Sequence, residues 1–274
     1  MNTLPKKVIV AGAFDDMRSR QIRFLEEASK LGPVMCLLWS DDTCQRLSGK
    51  APKFPAAERT YFLSNLRYVT GVKVIDKDTG LHTVPVSETA GAQAWVVDAT
   101  QDSPDKKKFC EVNKIGCRVI ADEELKGFPM QPATPTPGRK KVMVTGCYDW
   151  FHSGHVRFFE EVSAYGDLYV VVGHDANIKL LKGEGHPLIP EDERRYVCGS
   201  VRFVTQALVS SGEGWLDAEP EIKSLKPDIY AVNEDGDKGG KREYCQKMGL
   251  EYLVLKRTPA PGLPKRSSTD LRGF

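Results

Sequence analysis

Residues 152–155 read His152-Ser153-Gly154-His155. They fall between an apolar β-branched run, Val142 to Val144, and a helical pattern, VRFFEEVSAYG. A helix start offers unpaired amides and a positive dipole end, which suits phosphate. Gly154 lets backbone approach a ligand closely. The two imidazoles add side-chain donors aimed at the same spot. Such a constellation can hold a triphosphate without a strong metal site. An H-x-x-H sequence alone is equally a polar turn with incidental histidines. Its placement after a strand, just past Gly146 and at a helix start, favours the anion site.

The elements that would position these residues occur twice. Residues 8–42 and 142–176 share 12 of 35 positions at an offset of 134. ERTYFLSNLRYV from Glu58 matches ERRYVCGSVRFV from Glu193 at an offset of 135, and Val97, Asp102, Lys106 and Cys110 pair with Val232, Asp237, Lys241 and Cys245. Order and spacing persist, so one domain is written twice. Each copy opens strand–helix–strand: Val8 to Val10 or Val142 to Val144, then a helix ending at a glycine suited to a C-cap, then Val34 to Trp39 or Leu168 to Val172. Further strands are expected at 94–97 with 118–120, and at 229–232 with 252–255. This predicts an α/β protein: two Rossmann-like three-layer α/β/α domains in tandem, with parallel sheets. Gly127 to Arg139 carries four prolines in 13 residues and reads as a semi-rigid linker. The expected organisation is a first copy over 1–126, a linker over 127–139 and a second copy over 140–274.

Composition narrows the function classes. The 274 residues carry 39 basic and 37 acidic side chains, a net charge of +2, which gives no electrostatic support for binding nucleic acid or a membrane surface. The seven cysteines are odd in number and form no C-x-x-C, so they read as reduced thiols in a cytoplasmic protein. The N-terminal MNTLPKKVIVAGAF reads as a first strand, not a signal peptide.

Four ordered motifs carry a resemblance. They are Gly146-Cys147-Tyr148-Asp149-Trp150-Phe151-His152-Ser153-Gly154-His155; Lys182-Gly183 with Pro187, Glu193-Arg194 and Val201-Arg202-Phe203-Val204; Trp215 beyond that run; and Arg266-Ser267-Ser268-Thr269-Asp270-Leu271-Arg272. Together they resemble the H-x-G-H nucleotidyltransferase superfamily, in the style of the glycerol-phosphate and phosphoethanolamine cytidylyltransferases. The resemblance spans 140–274 and, in degraded form, 7–126. It implies an enzyme that transfers a CMP moiety from CTP to a small phosphomonoester, a phospho-alcohol, phospho-aminoalcohol or sugar phosphate, with release of pyrophosphate. An ATP-dependent adenylyltransferase of the same superfamily is the near alternative. A non-catalytic nucleotide-binding regulator or scaffold is the distant one.

The resemblance also implies roles. His152 and His155 would stabilise the α-phosphate, and Lys182 would bridge nucleotide and acceptor phosphates; its rival is a solvated lysine. Gly146, Cys147, Tyr148 and Gly154 fall in the nucleotide loop, with no role for the Cys147 thiol. Ser267, Ser268 and Thr269 would form a hydroxyl and amide cradle, and Arg266 or Arg272 would hold the β- and γ-phosphates. Asp149 would face the acceptor or else cap its turn; Arg202 would hold a phosphate or pair with an acid; Trp215 would wall the acceptor pocket or serve as core. Asp175, shared with Asp41, reads as structural. Mg2+ would arrive with the triphosphate, bound through phosphate oxygens rather than a protein metal site. The resemblance leaves a homodimer through the catalytic domain as one assembly. The chain's end at Phe274 predicts no amphipathic membrane tail.

Two departures bear on the nucleotide. Thr205 stands where cytidylyltransferases carry Asp, and RSSTDLR is nearer the adenylyltransferase form; the longer mid-domain match favours CTP. In the first copy Arg18-Ser19-Arg20-Gln21 replaces the histidine motif, while Gly12, Asp15, Arg23, Phe24, Glu26 and Glu27 remain. That pattern is a pseudo-domain, a packing or dimerisation platform, with anion binding at Arg18 and Arg20 as a lesser reading.

Overall fold

The computed structural model describes residues 6–271, and of Thr269 and Asp270 the backbone only. The chain divides into two compact units, Met1–Gly127 and Phe128–Phe274.

The first unit runs β1 (Lys7–Gly12), α1 (Ser19–Ser29), β2 (Val34–Trp39), α2 (Asp41–Ser48), α3 (Ala56–Ser64), β3 (Val69–Ile75), α4 (Val86–Thr89), β4 (Ala92–Asp98), α5 (Pro104–Val112) and β5 (Gly116–Ile120). The second runs β6 (Lys141–Gly146), α6 (Ser153–Ser163), β7 (Asp167–Val172), α7 (Asp175–Lys182), α8 (Glu191–Gly199), β8 (Val204–Val209), α9 (Glu219–Leu225), β9 (Ile229–Asn233), α10 (Lys241–Met248), β10 (Glu251–Leu255) and α11 (Ser268–Leu271). Each unit holds a five-stranded, wholly parallel sheet, in the orders β3-β2-β1-β4-β5 and β10-β9-β6-β7-β8. The two orders are the same when β6 to β10 are counted as one to five. The duplicated α/β architecture expected from the sequence is therefore present.

Central strands covered on both faces must be apolar throughout. Asp167–Val172 is buried at every residue, and Val142, Met143 and Val144 are fully buried. The edge strands β3 and β8 escaped the sequence reading. Val69–Ile75 alternates apolar with exposed polar residues and contains Gly71, a weak strand signal that pairing with β2 overrides.

Two expectations are corrected. Gly32 and Gly166 are not helix C-caps: the helices end earlier, at caps Lys30 and Ala164. A Cβ on Gly32 or Gly166 would collide with the carbonyl of Lys6 or Lys140, so glycine is needed where one chain segment passes another. The stretch 127–139, expected as a semi-rigid linker between the copies, is instead bonded to the second unit. Arg195 donates to the Phe128 carbonyl at 2.6 Å, buried Gln131 donates to Tyr196 O and Ser200 Oγ, and Thr136 N–H donates to Asp167 Oδ2. These bonds make the strap part of the second unit.

One polar cluster explains why both copies keep the same shape. Buried Arg194 donates to the carbonyls of Ile189, Cys147 and Gly173 and pairs with Asp175 at 2.6 Å. Arg59 repeats this with Phe54, Ala13, Trp39 and Asp41. A planar guanidinium with five donors can tie several loops at once. Asp175 and Asp41 are thus structural, as their retention in both copies implied.

Candidate active site

In the second unit the chain leaves β6 toward β7 on one side and returns to β9 on the other. Ligands of open parallel sheets bind at such a switch point, beyond the carboxyl ends of the strands. A cleft of about 590 Å³ lies there, lined by Thr145 and Gly146 of β6, Val232 and Asn233 of β9, and the start of α6.

His152 is the N-cap of α6. Its Nδ1 accepts from the Gly154 amide at 3.0 Å, and His155 Nδ1 accepts from the His152 amide at 3.3 Å. A neutral imidazole that accepts at Nδ1 carries its proton on Nε2. Both histidines therefore offer Nε2–H donors. Their rings lie 4.0 Å apart, and the buried Nε2 of His152 has no partner. Burial, with the positive charge of Arg257 and Arg266, pushes the His152 pKa down to about 4. Burial pushes His155 well below the ordinary range too, helped by His152, Arg257 and Lys182. Both rings are neutral at pH 7.

Gly154 has a more specific reason than ligand approach. A Cβ there would lie 2.9 Å from His152 Cε1, so only glycine lets the imidazole fold back over its own helix start. Tyr148, at φ 54°, covers Gly146, whose absent Cβ would fall 2.8 Å from the ring. Its buried ring meets His155 edge-on at 5.4 Å, while Phe151 stacks on His155 at 5.2 Å. Tyr148 thus holds an imidazole in place.

Lys182, the last residue of α7, lines the cleft, as do Cys147, Ser267 and Ser268. Ser268 Oγ donates to the Trp150 carbonyl at 3.2 Å. Arg266 lines an adjoining recess with Arg257 and Lys265. Thr269 is described in its backbone only, and Arg272 lies outside the described residues.

Asp149 also lines the cleft, but its Oδ1 accepts the amides of Leu188 and Ile189 at 2.9 Å each. Asp15 does the same for Lys53 and Phe54. The shared bond pins the loop that follows α7, the turn-holding alternative. Of the two readings of Arg202, the phosphate-holding one is corrected. It is exposed in the turn before β8, and because all strands run parallel that turn lies at the opposite end of the sheet from the cleft. Trp215 is 53% exposed and lies against Gly239 and Gly240, in the turn before Lys241, rather than in the cleft lining.

The sequence reading missed Arg257. It follows the end of β10 and lines the cleft, with its guanidinium on Asp235 at 2.5 Å and on the Arg266 carbonyl at 2.8 Å. Its signal was position alone: a cation two residues past the carboxyl end of the edge strand β10, beside β9. Lys241 is the other missed cation. It lines the cleft, donates to the Gly236 carbonyl at 2.9 Å, and burial lowers its pKa.

A family model described as Cytidylyltransferase-like matches residues 143–274. An FAD synthase of Ferroglobus placidus is 36% identical over 120 residues, covering 43% of this chain and 75% of that protein. An FAD synthase of Methanocella paludicola is 30% identical over 135 residues, covering 48% and 93%. The Bifunctional protein HldE of Aliarcobacter butzleri is 32% identical over 120 residues, which is 43% of this chain and 24% of that longer protein. No helix among the described residues is long and apolar enough to cross a membrane.

Proposed function

This chain belongs to the cytidylyltransferase-like nucleotidyltransferase family, and from that premise we propose that its second unit joins a nucleoside triphosphate to a small phosphomonoester with release of pyrophosphate. The observation that carries the reading is the unpartnered, buried Nε2–H of His152 at the switch-point cleft. An acceptor phosphate oxygen attacks the α-phosphorus, the bond to the bridging oxygen breaks, and pyrophosphate leaves. Neutral Nε2–H donors from His152 and His155 meet the charge that grows on the α-phosphate oxygens. Arg257 and Arg266 hold the leaving phosphates. Lys182, at the cleft mouth, brings the acceptor phosphate toward the nucleotide.

Magnesium suits this cleft as the triphosphate's own counter-ion. No group of three His, Cys, Asp or Glu side chains among the described residues could hold a metal. The lining carboxylates Asp149 and Asp235 already serve backbone amides and Arg257. The ion would neutralise phosphate charge, while the chain's own residues bind and orient.

CTP was expected because of the mid-domain run. Arg194 in that run is a scaffold tie repeated by Arg59, so it carries no information about the base. RSSTDLR and the likeness to FAD synthases, whose product contains an adenylyl group, favour ATP. The donor we propose is ATP, with CTP as the second reading. The protein would act in the cytoplasm. Incubation with ATP or CTP, magnesium and a panel of phosphomonoesters, read as pyrophosphate release, tests this. Turnover with ATP supports it. Turnover with CTP alone supports the second reading, and none with any pair counts against both.

A further inference from the structure

The first unit keeps a cleft at the matching switch point, past Gly12 of β1 and Asp98 of β4. Its volume is about 550 Å³, close to that of the second unit's cleft and within the range of small-molecule sites. The phosphate-holding groups have gone from it. By the repeat, Arg257 corresponds to Asp122, Gly154 to Arg20 and His155 to Gln21. Arg20 pairs with Asp122 at 2.6 Å, so an internal ion pair stands where a phosphate cation would be. Gln21 is occupied by the Arg18 amide, and Arg18 by Asp16. Lys106 is the cation that remains: it keeps the place of Lys241 and the same kind of bond, to the Gln101 carbonyl at 2.9 Å, and lies over the Trp95 ring.

The walls, in contrast, have gained indoles. Trp95 replaces Tyr230 and Trp39 replaces Gly173. The Tyr230 hydroxyl is bonded to Thr145 at 2.7 Å, whereas the buried Nε1 atoms of Trp95 and Trp39 have no partner. Trp95 is only 2% exposed, and both residues line the cleft. A buried donor is seldom left unmade in a native fold.

We propose that this cleft binds a neutral, phosphate-free heteroaromatic ligand of nucleoside size. Its ring lies against the indole walls, and its ring nitrogen or carbonyl acceptors take the Trp95 and Trp39 N–H groups. The charge pairing at Arg20 and Asp122 turns away a triphosphate, so the two clefts sort ligands by phosphate content. The inference stands whichever triphosphate the second unit uses.

Calorimetric titration of the full chain with adenosine and cytidine tests it. One of these probes should bind saturably. Trp95→Phe keeps an aromatic face, though a smaller one, and removes the N–H, and should weaken binding by about tenfold. Leu81→Trp, at a half-exposed residue of the cleft lining, should block binding with an unchanged melting temperature. Arg257→Ala should leave nucleoside binding intact. Absence of binding by both nucleosides overturns the proposal, as does binding unmoved by both Trp95→Phe and Leu81→Trp.

Discussion

His152 Nδ1 accepts the backbone N–H of Gly154 at 3.0 Å, which leaves the imidazole proton on the buried, unpartnered Nε2. Burial holds the ring's pKa at about 4, below its ordinary 6.5. The folded state thus binds this proton less readily than the unfolded chain. The stability contributed by the neutral ring is complete above about pH 6.5 and is lost as pH falls toward 4. The melting temperature should therefore drop on acidification through that window. Nitrogen NMR at pH 6 should find a neutral ring protonated at Nε2; a charged ring there would contradict the assignment.

Arg194 is the second testable tie. Arg194→Ala leaves three loop carbonyls and Asp175 without their donor. The expected loss is about 3–5 kcal/mol in a denaturant titration of the second unit. Arg59→Ala should do the same to the first unit. A variant of either with unchanged stability would remove the polar tie from the account.

Arg257 should act on ligand rather than on fold. Its partner Asp235 is half exposed, so the carboxylate freed by Arg257→Ala stays hydrated. Triphosphate affinity should fall by about ten- to a hundredfold, as for a charge-assisted contact, with little change in melting temperature. Equal affinity in fluorescence titrations would show that the leaving phosphates lie elsewhere.

Asp149 separates its two readings. If it pins the loop after α7, Asp149→Asn keeps the accepting Oδ1 and most activity, while Asp149→Ala loses both amide bonds and about 1–3 kcal/mol of stability. A strong rise in KM for the acceptor with Asp149→Asn, at normal stability, would restore the acceptor role.

The duplication, both parallel sheets and the histidine site were legible because each leaves a local mark: β-branched runs, a repeated helix face, and a glycine between histidines. Arg202 and Arg257 show what was not. Both are cations beside a strand, and only strand direction and sheet order decide that one lies at the cleft and the other at the far end. Asp149 looked chemical because of its place in the family motif; its twin Asp15, in a copy without the histidines, marks it as scaffold, as Arg59 does for Arg194. The strap from Phe128 was hidden because prolines advertise a break in regular structure but not what Gln131 and Thr136 bond to.

The central claim is that the histidine pair donates to the transferring phosphate. Pyrophosphate release by His152→Ala, with a triphosphate and acceptor that the unaltered chain turns over, tests it most directly. The account predicts a fall in kcat of about a hundredfold or more in a protein that still folds. Full activity in that variant would contradict it.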